Sequence, residues 1–153
     1  MQVILEALRL FPTVPNFTRE CHKDSNLWTN NYELPSGTSV VIANYSLNYN
    51  PSIWTNPEEF FPERFENVSD IALGKPIDDS HNRVPFSFTP FGAGNRACVG
   101  QRYALSEAVI ILSALVSHCD WRLSFPNEKI TEIADITLGP KKGLFFDITT
   151  ITL

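Results

Sequence analysis

Cys98 lies in the stretch Phe91-Gly92-Ala93-Gly94-Asn95-Arg96-Ala97-Cys98-Val99-Gly100, with two glycines before the sulfur and one after it. Glycine tolerates positive φ and carries no Cβ, so this stretch is expected to turn tightly and to let the backbone approach a partner closely. A sulfur displayed on such a turn is a candidate metal ligand, whereas a cysteine taken alone is most often a small buried hydrophobe. Downstream, Leu105, Ala108, Val109, Leu112, Leu115, Val116 and Cys119 recur at the three-and-four spacing of an amphipathic helix. Cys98 is therefore expected just ahead of a helix N-terminus, where free amides and the positive end of the helix dipole favour an anion.

One cysteine cannot hold zinc or an iron–sulfur cluster, which need several ligands at short spacing, and no Cys-x-x-Cys or Cys/His cluster occurs. A single thiolate with a loop built around it suits haem, whose porphyrin brings the other in-plane ligands. The pattern Phe91-x-x-Gly94-x-Arg96-x-Cys98-x-Gly100 resembles the haem-ligand signature of the cytochrome P450 family at every fixed position. Two further motifs precede it in the family's order. Glu6-Ala7-Leu8-Arg9, continuing as Leu10-Phe11-Pro12, is similar to the family's Glu-x-x-Arg helix, and Pro62-Glu63-Arg64-Phe65 to its Pro-Glu-Arg-Phe segment.

The elements that must position these residues are legible in outline. Met1 to Leu10 reads as a helix that lacks an N-cap and ends before Pro12; at that length it needs tertiary support. Glu6 and Arg9, three apart, share one face, and an exposed surface pair is the plain alternative. Pro12 and Pro15 force an extended path into a strand over Phe17 to Cys21. Leu34-Pro35-Ser36-Gly37 marks a turn, Thr38 to Ala43 a β-branched strand, and Tyr45 to Asn48 a short helical turn stopped at Asn50-Pro51. Asn67 to Val84 reads as an exposed loop, in which Asp78, Asp79 and His81 are solvated rather than metal-binding. Phe86, Phe88 and Phe91 form an apolar approach to the cysteine loop. Trp121 to Phe125 and Phe145 to Ile148 read as terminal strands, with turns around Gly139-Pro140 and Gly143.

Composition narrows the class. Over 153 residues the chain is 43% hydrophobic and 19% charged, with eleven Phe and three Trp, which is globular rather than disordered. A net charge of −5 argues against general nucleic-acid binding. Cys21, Cys98 and Cys119 have no disulfide-framework spacing and suggest reduced thiols facing a cytosol. No apolar run reaches the roughly eighteen residues of a membrane span, and no leader opens the chain. The sequons at Asn16, Asn44 and Asn67 are then chance matches.

The resemblance implies that residues 1–153 are the C-terminal portion of a single cytochrome P450 domain, mainly α with small β-sheets (α+β) and incomplete as given. It implies haem b with Cys98 as axial ligand to iron, Phe91 shielding the sulfur, Gly92, Gly94 and Gly100 letting the loop pack on the porphyrin, and Arg96 and Arg19 meeting the propionates. Glu6, Arg9 and Arg64 would form a structural triad, and Thr13, Val14 and Phe17 would face substrate. The implied reaction is monooxygenation of a small lipophilic substrate by O2. Electrons would come from NADPH through a reductase docking on the cysteine side, near Arg102. A eukaryotic full-length relative would sit on the cytosolic face of the endoplasmic reticulum membrane, and a bacterial one in solution. Nothing in the sequence matches the family's oxygen-activating helix, so these residues are expected to supply one wall of the haem site. The rival readings are a non-catalytic truncated remnant and a same-fold enzyme that rearranges peroxides; the unaltered loop spacing weighs against the latter.

Overall fold

The computed structural model describes residues 1–23, 25–27, 32–66 and 86–151. Good helix formers from Gln2 to Leu10 build α1 (Gln2–Leu10), which closes where the Phe11 amide donates to the Ala7 carbonyl at 2.7 Å. Nothing caps its N-terminus, and its stability comes from packing: Leu5, Glu6, Arg9 and Leu10 are all buried.

After the two prolines, β1 (Phe17–Glu20) runs close to the expected span, and the chain enters the β2 (Ser25–Leu27) and β3 (Tyr32–Leu34) hairpin, which the sequence does not announce. Gly37, at φ +85°, makes the expected turn into β4 (Ser39–Ile42), and β4 pairs antiparallel with β1 from Phe17 opposite Ile42 to Glu20 opposite Ser39. α2 (Asn44–Asn48) follows, and an irregular segment then leads into a 3-10 turn at Pro62–Phe65, which begins with proline as helical first turns often do.

These pieces enclose the core. Leu5, Trp54, Phe65, Phe88 and Leu105 are buried together, with Ile4, Leu8, Ile53 and Phe91 packed around them. The rings of Phe65 and Phe88 lie 4.9 Å apart, each 6.1 Å from Trp54 and tilted or edge-on to it, an arrangement the ring quadrupoles favour.

Another 3-10 turn at Gly94–Arg96 precedes α3 (Gln101–His118), which passes directly into β5 (Cys119–Leu123). β6 (Glu132–Ala134) and β7 (Leu138–Pro140) form a hairpin, and β8 (Phe146–Thr150) returns to pair with β5. The described residues thus form an α+β arrangement of helices and four two-stranded antiparallel sheets.

Three expectations are corrected. Cys119 begins β5 rather than ending the helix. Gly139-Pro140 lies in β7 rather than in a turn; Pro140 sits at the strand end, where its missing amide breaks no ladder, and Gly143, at φ +77°, takes the turn. On α3 only Leu105 is buried: Ala108, Val109 and Leu112 are half-buried, while Leu115 and Val116 are exposed despite their helical phase. Asp78, Asp79, His81 and the Asn67 sequon lie outside the described residues. Asn44 is buried, which removes it as a glycan acceptor.

Candidate functional site

α1 carries two working faces. On one, Glu6 and Arg9 are fully buried, and the Arg9 guanidinium donates from Nε and Nη2 to the two carboxylate oxygens of Glu6 at 2.8 and 2.7 Å. Its remaining N–H groups go to the main-chain carbonyls of Asn48, Pro57 and Glu59 at 2.9, 2.7 and 3.1 Å. All five donors of a guanidinium are therefore used, the condition for burying such a charge. Glu6 Oε1 also accepts from the Phe61 amide at 3.0 Å and from Arg64 Nε at 3.3 Å. Glu6, Arg9 and Arg64 are thus one cluster, and its bonds to main-chain carbonyls fasten α1 to the segment between α2 and the Pro62–Phe65 turn.

The opposite face presents Ile4 and Leu8 to a cavity of about 530 Å³. Across it, the cysteine loop is folded by its own amides: Gly92 N–H donates to the Thr89 carbonyl at 2.9 Å, Cys98 N–H to the Phe91 carbonyl at 2.9 Å, and Ala97 N–H to the Gly94 carbonyl at 3.0 Å. Gly92 and Gly94 both take φ +72°, which a side chain would strain. A Cβ at Gly92 would also stand 3.6 Å from Arg19 Nη2. Gly100 differs from the expected tight turn: it adopts φ −84° ahead of α3, and a Cβ there would lie 3.8 Å from Cys98 Sγ. At that distance a side-chain methyl would rest in ordinary contact with the sulfur.

The cavity gathers most of the residues singled out from sequence: Cys98, Phe91, Gly92 and Arg96 from the loop, and Thr13, Val14, Phe17 and Arg19 from the connection and β1. Cys98 is exposed, not a packed core thiol, so the buried-hydrophobe reading does not describe it. Arg19 lies against the Phe17 ring at 4.8 Å and donates to the Thr18 carbonyl at 2.9 Å. Gly94 and Gly100 shape the loop without lining the cavity, and Arg102 is exposed on the first turn of α3, outside it. Reasoning from sequence missed Ile4, Leu8, Asn44 and Leu105 as lining residues. Ile4 and Leu8 could have been found from their four-residue spacing, whereas Asn44 carries no such signal.

Two guanidiniums and one sulfur border a largely apolar hollow, and among the described residues no group of three or more His, Cys, Asp or Glu could hold a metal ion. This donor set suits a flat apolar group that supplies its own equatorial metal ligands and carries carboxylates. Haem fits that description.

The family model for cytochrome P450 matches residues 1–145. The chain is similar to 5-epiaristolochene 1,3-dihydroxylase of Nicotiana tabacum, at 36% identity over 96% of this chain and 28% of the relative. It is similar to cytochrome P450 4V2 of Homo sapiens at 34% identity, over 95% of this chain and 26% of that protein. The structure of the retinoic acid-bound cyanobacterial CYP120A1 superposes with a TM-score of 0.81 at 29% identity, covering 98% of this chain and 32% of the other. The chain therefore spans between a quarter and a third of the length of these proteins.

Proposed function

The chain belongs to the cytochrome P450 family, and from that premise we propose that the complete protein is a haem-thiolate monooxygenase to which residues 1–153 contribute the C-terminal portion of the domain. The observation that carries this reading is Cys98, exposed on a glycine-built loop at the edge of an apolar cavity that also receives Arg19 and Arg96.

In this reading Cys98 Sγ would ligate the haem iron, and Arg19 and Arg96 would hold the propionates by charge-assisted hydrogen bonds. Phe91 would shield the ligated sulfur. Gly92 and Gly94, both at positive φ, supply the turns that carry the loop from Phe91 to Cys98. When bound, haem with a thiolate ligand supplies O2 binding and O–O cleavage. Thr13, Val14 and Phe17 form part of the wall against which a lipophilic substrate is oriented. Glu6, Arg9 and Arg64 hold the packing behind the loop, so that the sulfur's position is set before any cofactor arrives. Electrons from NADPH reach the site through a reductase that docks on the cysteine side, where Arg102 is exposed. In this reading a eukaryotic full-length protein would sit at the cytosolic face of the endoplasmic reticulum membrane and a bacterial one in solution; among the described residues no helix is long and apolar enough to cross a membrane.

The test uses the full-length protein, a reductase, NADPH and labelled O2 with a panel of small lipophilic substrates. One labelled oxygen atom in the product, dependent on NADPH, is the expected result. Conversion of a hydroperoxide without O2 or NADPH would favour the peroxide-rearranging reading instead, and failure to bind haem would remove both.

A further inference from the structure

Asn44 is a polar side chain only 1% exposed, and it lines the cavity beside the cysteine loop. It makes a reciprocal pair with Thr89: Asn44 Nδ2 donates to the Thr89 carbonyl at 2.9 Å, and Thr89 Oγ1 donates to Asn44 Oδ1 at 2.9 Å. The two bonds fix the amide's orientation, since rotating it would set Oδ1 against a carbonyl and Nδ2 against a hydroxyl. The same Thr89 carbonyl accepts the Gly92 amide at 2.9 Å. That N–H belongs to the peptide unit joining Phe91 and Gly92, whose C=O receives the Cys98 amide at 2.9 Å. A single planar group therefore links Thr89 on one side to Cys98 on the other.

We propose that Asn44 is a positioning residue for the thiolate loop: it holds the Thr89 carbonyl, which orients the Phe91–Gly92 peptide, which in turn anchors the Cys98 amide and so aims the sulfur. This rests on the assignment of Cys98 as the haem ligand. α2 is itself fastened to the opposite wall, because the Tyr45 amide donates to the Pro15 carbonyl at 2.9 Å. One five-residue helix thus spaces the cysteine loop from the connection that carries Thr13 and Val14. Asn48, one turn along α2, is an internal control: it is equally buried, but its Nδ2 donates to the Arg9 carbonyl at 2.9 Å, away from the loop.

The test compares Asn44→Asp, Thr89→Val and Asn48→Ala in the haem-loaded full-length protein. It reads the rate at which the ferrous–CO thiolate band converts to the thiol form, together with the unfolding midpoint. Asn44→Asp places a carboxylate oxygen against the Thr89 carbonyl, and loss of a buried hydrogen bond is expected to speed conversion by at least about fivefold. Thr89→Val removes one hydroxyl and keeps the carbonyl, and should give a smaller change of the same sign. Asn48→Ala should lower the midpoint yet convert at the parent rate. If Asn44→Asp fails to load haem, Thr89→Val carries the decision by the same criterion. Parent-like conversion in the loop-facing variants, or equal acceleration in Asn48→Ala, would overturn the positioning role while leaving the Cys98 assignment standing. A parent protein with no thiolate band would overturn both.

Discussion

The two faces of α1 meet opposite kinds of surroundings, and so do the two ends of the chain. Around α1, charge is buried with every guanidinium donor of Arg9 satisfied, and Leu5, Trp54, Phe65 and Phe88 exclude water beside it. Along α3 and the terminal hairpins the residues are just as apolar and yet stand open: Ile110 is 67% exposed, Phe145 60% and Ile136 88%. An apolar side chain contributes to stability only by the area it removes from water. The first region is thus self-sufficient packing, whereas the second is apolar surface among residues whose relatives are three to four times longer.

The largest effect should come from the buried charge cluster. Glu6→Ala leaves Arg9 without a counter-charge, and Arg9→Ala leaves Glu6 with only the Phe61 amide and the longer contact to Arg64; breaking a buried pair costs on the order of 3–5 kcal/mol. Either variant of the full-length protein should fail to incorporate haem, and a pyridine haemochrome assay showing normal content would break the contrast between the two regions. Arg64, whose side chain is 12% exposed and which meets Glu6 at the longer 3.3 Å, should be the most tolerant of the three.

Core truncation comes next. Phe65→Ala empties space between Trp54 and Phe88 and should cost about 3–5 kcal/mol, the usual penalty for a buried aromatic. The comparable loss at Phe145 in the open region should be well below that in these 153 residues. Paired denaturant titrations check the difference, and equal losses would erase it.

The smallest effect is one of pH. Tyr49 is held above the usual tyrosine pKa, first by burial and then by the neighbouring Tyr45, and Tyr45 is raised by burial and by the Glu132 carboxylate, which accepts its hydroxyl at 3.2 Å. Because the folded state holds these protons more tightly, the stabilisation is complete below the unfolded value near pH 10 and is lost as pH rises above it. Unfolding midpoints should therefore fall on the alkaline side of pH 10, and Tyr49→Phe should make that fall shallower. An unchanged slope would contradict the burial of the Tyr49 hydroxyl, which donates to the Leu10 carbonyl at 3.1 Å.

These differences also explain what could be read from the chain unfolded. The cysteine loop, the Glu6–Arg9 pair and the turn at Gly37 depend on spacing within a few residues, so their residue types disclose them. Arg64 meets Glu6 across 58 positions, and only motif order suggested the pairing. Asn44 and Thr89 are 45 apart and chemically ordinary, so nothing local marks them as partners. The exposure of Leu115 and Val116 could not be seen either, because helical periodicity says which face is apolar and not what covers it. Gly139-Pro140 misled for a related reason: the dipeptide favours a turn, but a strand end with a free edge accepts it equally well.

The account depends most on Cys98 Sγ. The ferrous–CO spectrum of full-length Cys98→Ser, compared with that of the parent, tests it directly. The parent should show the red-shifted Soret band of a thiolate ligand, and the variant should lose it while the protein remains folded. An identical Soret position in the two proteins would contradict the assignment.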